Sequence, residues 1–166
     1  MVMNYLLVDT CVLSDMMRQY DPCLPNAGFV EGVFLKKNML RMINSVVQDM
    51  DGTSGYIVVS AFAFLELINK FSDIFKEEIS KKTMSLNRII ATIQQPPSWM
   101  IIEETNLETA KEFCKVPNAI GTGEHISADD AVHIATALQR GDDITLLTTD
   151  HVLKLLNLQR ISVVTD

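Results

Sequence analysis

Asp9, Glu66, Asp130 and Asp150 stand at positions where a folded α/β chain brings distant side chains together. Asp9 directly follows the apolar run Tyr5-Leu6-Leu7-Val8, and Asp150 directly follows Leu146-Leu147-Thr148-Thr149. Glu66 is the only polar residue between positions 61 and 68, and Asp130 opens an apolar-periodic stretch three residues after Ser127. Carboxylates are hard oxygen donors suited to Mg²⁺ or Mn²⁺, which keep several waters in their shell. Such an ion polarises a phosphoryl oxygen and lowers the pKa of a bound water, so the chemistry indicated is hydrolysis of a phosphate ester. Competing chemistries lack their residues. The histidines His125, His133 and His151 form no zinc spacing with the cysteines. There is no Gly-x-Ser-x-Gly, no phosphate-cradling glycine loop ending in Lys-Ser/Thr and no dinucleotide fingerprint.

Each acid also has a purely structural reading. Asp9 and Asp150 are both placed to cap the helix that follows, and Ser127-x-x-Asp130 has the form of a capping box. Asp129 reads as a first-turn acid favoured by the helix dipole. Glu66 is the hardest to dismiss, because a carboxylate among apolar neighbours is costly unless it is paired or bound to metal. His133, one turn after Asp130, reads as a packing histidine of the helix.

The elements that must position these acids follow from periodicity. Short continuous apolar runs predict strands at 4–8, 56–59, 99–102, 144–147 and 161–164. Helical spacing predicts helices at 11–19, 34–50, 60–71, 75–93, 107–114, 127–140 and 151–156. Pro22, Pro25 and Gly28 mark 20–32 as a loop, and Gly121 and Gly123 mark 117–125 as another. Continuously apolar strands separated by helices imply a three-layer α/β/α domain on a mainly parallel sheet of about five short strands. In such a sheet ligands bind beyond the carboxyl ends of the strands, where all four acids fall.

With 166 residues the chain fits a single domain over 1–166, in which 20–55 is an enlarged helical and loop segment that could select substrate or partner. Hydrophobic residues make up 48% and charged residues 21%, enough for a real core. Three cysteines cannot all pair, and Cys11 and Cys114 have apolar sequence neighbours, which suits a reducing cytoplasm. Residues 1–12 carry no basic leader, and no apolar run is long enough to span a membrane. The net charge of −7 gives no general attraction to nucleic acid. Any hold on RNA must come from metal or from a local basic patch, Lys36, Lys37 and Arg41 or Lys81, Lys82 and Arg88; either group also reads as a solvated helix face.

Taken in order, four segments resemble those of PIN-domain nucleases, above all the VapC-like toxins. They are Leu6-Leu7-Val8-Asp9-Thr10-Cys11-Val12-Leu13-Ser14, Val58-Val59-Ser60 through Glu66-Leu67, Asp130-Ala131-Val132-His133-Ile134-Ala135-Thr136-Ala137-Leu138 and Leu146-Leu147-Thr148-Thr149-Asp150. The resemblance implies a Mg²⁺- or Mn²⁺-dependent endoribonuclease whose acidic site is Asp9, Glu66, Asp130 and Asp150. By position, the Thr10 and Thr148 hydroxyls would lie near metal waters or the scissile phosphate. Toxins of this family are held inactive by an antitoxin protein and often form homodimers. The chain departs from the pattern at Cys11, where the family usually has Asn, at His151, which follows Asp150 without a second acid, and in the 57 positions between Asp9 and Glu66. Two rival expectations remain. One is a PIN-like binding module without turnover; the other is a phosphatase with an aspartyl nucleophile, which normally needs an acid where Cys11 stands.

Overall fold

The computed structural model describes residues 3–74, 79–121 and 123–166. Its elements run β1 (Asn4–Val8), α1 (Thr10–Gln19), α2 (Lys37–Val47), β2 (Gly55–Ser60), α3 (Ala61–Ile74), α4 (Ile79–Gln94) and β3 (Met100–Glu103), then α5 (Leu107–Phe113), β4 (Ala119–Ile120), β5 (Glu124–His125), α6 (Ala128–Arg140), β6 (Ile144–Leu147), a 3₁₀ turn (His151–Leu155) and β7 (Ile161–Val164). Alternation in the central strands sets the layers. Leu6 and Val8 of β1, with Ile57 and Val59 of β2, enter one core, while Leu7 and Val58 enter the other. Strands buried on both faces read as continuous apolar runs for this reason.

The main sheet has the order β3-β2-β1-β6-β7, and every neighbouring pair is parallel. The larger core packs α1, α2, α3 and α4 on one face through Leu13, Met16, Ile43, Val47, Leu67 and Ile89. The smaller core packs α6 on the other through Ile134, Ala135 and Ala137. The expected three-layer α/β/α architecture is therefore present. Strand order reverses at β1, since the chain moves outward to β2 and β3 and later returns to β6 on the opposite side. The crevice at such a reversal is where ligands of open α/β sheets bind. No helix among the described residues is long and apolar enough to cross a membrane.

Several expectations need correction. The loop at 117–125 contains a hairpin, with β4 and β5 paired antiparallel as Ala119↔His125 and Ile120↔Glu124. The helix expected over 34–50 is only Lys37–Val47. Its early turns are lost because the N–H groups of Phe34 and Leu35 donate to the Asp15 carboxylate at 2.6 and 2.8 Å, holding that stretch extended. Its late turns are lost because Asp49 gathers the N–H groups of Asp51, Thr53 and Ser54 into a turn. The helix expected over 75–93 is Ile79–Gln94 where described, and 75–78 lie outside the described residues. Within 20–55, α2 is part of the larger core rather than an appendage: Met39, Ile43, Val46 and Val47 are all buried. Cys114 is exposed, against its apolar sequence neighbours, because α5 leaves even Leu107 and Phe113 outside.

Candidate active site

Asp9 leaves β1 with its backbone N–H donating to Leu147 O of β6 at 3.0 Å, which fixes the residue at the seam of the two strands. Its Oδ1 accepts the Val12 N–H at 2.8 Å, so it caps α1. Its Oδ2 turns toward the end of β6 and accepts the Thr149 N–H at 3.3 Å. Thr148 is fully buried, and its hydroxyl accepts the Asp150 N–H at 3.1 Å. Asp150 Oδ1 accepts the Val152 N–H at 2.9 Å and caps the 3₁₀ turn. The capping roles are real and use one oxygen of each acid; the second of Asp9 meets the Thr149 N–H, and Asp150 faces Asp130.

Glu66 is held by two side chains at one oxygen. The Thr10 hydroxyl donates to Oε2, and His133 Nε2 lies 3.3 Å from the same oxygen. With its side chain 22% exposed, Glu66 faces the site rather than bulk water. His133 is only 3% exposed, and beyond the expected packing the structure joins it to this carboxylate. Its Nδ1 lies 3.3 Å from Ser60 Oγ, which also accepts the Ala63 N–H at 3.1 Å. Those partners assign the tautomer: Ser60 donates to Nδ1, leaving Nε2–H for Glu66 and for Thr10 Oγ1 at 3.4 Å. Burial pushes the Glu66 carboxyl upward, but the hydrogen bonds from His133 and Thr10 outweigh it and hold the group below the usual range.

The first turn of α6 supplies two acids that face different neighbours, as consecutive helix positions must. Asp129 meets Glu66, and Asp130 meets Asp150. Ser127 caps the helix by accepting the Asp130 N–H at 3.1 Å, and its hydroxyl donates to Asp130 Oδ2 at 2.5 Å. Both acids sit above the ordinary range for Asp. Burial is the main cause for each, followed by the charge of Glu66 for Asp129, and for Asp130 by the charge of Asp150 working against the Ser127 hydrogen bond. Sequence reading assigns Asp129 a first-turn role and His133 a packing role with the site within reach, and the structure brings both to Glu66. The two are four residues apart on α6, hence on one face, and that face meets Glu66.

Cys11 lies in the first turn of α1, and Lys70 Nζ approaches its Sγ at 3.9 Å. Burial and the Asp9 charge raise the thiol pKa, with Lys70 pulling it back. Of the two basic patches, Lys36, Lys37 and Arg41 are exposed; in the other, the Lys81 and Lys82 side chains lie outside the described ones, and the Arg88 guanidinium donates to Met17 O and Arg18 O at 3.3 and 3.0 Å and so closes the end of α1. The donor chemistry of the site fits a small hard cation, because carboxylates face carboxylates and a doubly charged ion relieves that repulsion. Among the described residues no three His, Cys, Asp and Glu form a group that could hold a metal ion; Glu66 and Asp129 stand as one pair, Asp130 and Asp150 as another.

No protein-family model matches the chain, and no curated protein matches it significantly. Among solved structures it is similar to a chain in the crystal structure of VapBC2 from Rickettsia felis bound to a DNA fragment from their promoter. The TM-score is 0.57 at 11% identity, and the match covers 96% of this chain and 96% of that one. At that identity the likeness establishes a shared fold along nearly the whole length.

Proposed function

We propose that the chain is a Mg²⁺- or Mn²⁺-dependent endoribonuclease of the PIN type, acting in the cytoplasm as the toxin of a toxin–antitoxin pair. The observation that carries this reading is the meeting of carboxylates from separate elements at the strand-order reversal, where Asp129 faces Glu66 and Asp130 faces Asp150, and burial first and the facing acid after it raise both. Like charges held together destabilise a fold unless function retains them. The four-segment resemblance and the likeness to a VapBC2 chain support the toxin role and an antitoxin partner.

In this reading Asp9, Glu66, Asp130 and Asp150 hold the cation. When bound, the ion supplies Lewis-acid polarisation of the phosphoryl oxygen and acidifies its water. The chain's own groups do the positioning. Thr10 and His133 fix the Glu66 carboxylate in its charged form, and the caps at Val12 and Val152 fix Asp9 and Asp150. The buried Thr148 hydroxyl holds the Asp150 backbone in place. The test is cleavage of a labelled RNA with Mn²⁺ and with EDTA. Cleavage with Mn²⁺ that EDTA abolishes supports the reading, and none under either condition overturns it.

A second reading, a PIN-like module that binds its partner without turnover, is favoured by Cys11 and Lys70, since a lysine beside the acids offsets their charge. Calorimetric titration with Mn²⁺, read together with RNA cleavage, separates the two. A nuclease binds the ion and cleaves; a module without turnover leaves RNA intact whether or not heat is released.

A further inference from the structure

Lys70 follows Glu66 by one turn of α3, and besides reaching Cys11 its ammonium lies 4.6 Å from the centroid of the Phe34 ring. Phe34 is held there because its N–H and that of Leu35 are tied to Asp15, buried in α1. Two and three residues further along the chain from Phe34, Lys36 and Lys37 line a cleft of about 520 Å³ that is also lined by His151, the sequence neighbour of Asp150. Glu31 and Asp166 also line that cleft. The run Lys70, Phe34, Lys36, Lys37, His151 thus leads from one turn past Glu66 on α3 to the residue after Asp150.

Lys111, Lys115, Arg140 and Lys154 are paired with carboxylates, Arg88 and Arg160 donate to backbone carbonyls, and Arg18 lies over the Phe71 ring. Lys36, Lys37 and Lys70 have no carboxylate partner within ion-pair distance among the described residues. In a chain of net charge −7, a polyanion can be seated only where positive charge is locally uncommitted. Phe34 is half-buried with Lys70 against its ring, and base–aromatic stacking is the usual complement to phosphate binding on unpaired strands.

We infer that this rim seats single-stranded RNA, with phosphates on Lys36, Lys37 and Lys70 and a base on Phe34. The inference rests on the nuclease reading for its substrate. Its test is binding, read without turnover in a D9N/E66Q background by fluorescence anisotropy of a labelled RNA of about ten nucleotides. Across a KCl series, adding K36A, K37A and K70A should lower the salt slope by about 2, at roughly 0.7 for each phosphate no longer neutralised. Adding F34L instead should weaken binding roughly 5- to 100-fold with the slope unchanged, and a duplex of the same length should bind more weakly. An unchanged slope in the triple-lysine variant, no binding by the background protein, or equal affinity for duplex would overturn the proposal. Circular dichroism checks each fold. Should the triple variant unfold, the single surface change K37E stands in, and it should weaken binding more than K37A does. Wild-type protein that cleaves RNA while the lysine variant keeps its slope overturns the rim alone. Binding that depends on the rim without any Mn²⁺-dependent cleavage overturns the nuclease reading alone.

Discussion

Asp15 and Asp49 invite comparison with Asp129 and Asp130, because the same side chain meets opposite surroundings. Asp15 is buried yet comfortable, its Oδ2 accepting two backbone N–H groups from the chain that crosses α1. Asp49 accepts the N–H groups of Asp51, Thr53 and Ser54, and these bonds, those of Ser54 foremost, bring its pKa down to about 2. Asp129 and Asp130 instead face other carboxylates and rise. An acid surrounded by N–H donors is holding the fold together; an acid buried against another acid is held at a cost that the fold alone does not repay.

The largest effect should separate the two groups by activity. Asp9→Asn or Asp130→Asn should lower Mn²⁺-dependent RNA cleavage by about a thousandfold or more, as expected when several kcal/mol of charge stabilisation is lost, with the circular-dichroism spectrum intact. Asp49→Asn should leave cleavage within a few-fold. Full cleavage by Asp130→Asn would put that residue in the structural group. Next comes Asp15→Ala, which strands two N–H donors and should cost roughly 2–4 kcal/mol in urea unfolding; a loss under about 0.5 kcal/mol would show that the crossing chain finds other partners.

Smaller effects sharpen the contrast. Mn²⁺ at about a hundred times its Kd should stabilise the wild type by about 2.7 kcal/mol in a thermal melt and the Asp130→Asn variant by much less. Equal gains in both would place the ion elsewhere. The smallest effects are in pH. A carboxyl raised in the folded state favours folding below its unfolded value of 3.8, and that contribution is lost as pH rises through the higher folded value. Asp130→Asn should therefore melt higher than wild type at pH 7, with the gain shrinking toward pH 3.8. Asp49 has the opposite sign. Its contribution is present above 3.8 and fades as pH falls to about 2, so Asp49→Asn should melt lower at pH 7 and match wild type near that lower limit.

The strands and the layer order were legible because a strand buried on both faces has a signature no surface element shares: Leu6-Leu7-Val8 and Ile57-Val58-Val59 leave no wet position. The acids that end strands were legible for the same reason, as the first charges after apolar runs. What lay beyond reading were partnerships across the chain. Nothing around Asp15 announces that Phe34 and Leu35 will supply its hydrogen bonds, and nothing around His133 reveals that Ser60 and Glu66 occupy its two nitrogens. The β4–β5 hairpin escaped because strands of two residues carry no periodicity, and its glycines look like those of any loop.

Asp9 hangs between β1, the earliest element of the sheet to be synthesised, and β6, which begins only at Ile144. A growing polypeptide released from the ribosome residue by residue has no β6 with which to orient Asp9, and Asp150 follows later still. The Asp130–Asp150 pair likewise forms only once almost all of the described sequence has emerged. Truncated or stalled products ending before β6 carry Asp9 and Glu66 without Asp150, so synthesis itself keeps these carboxylates from meeting ahead of the finished sheet.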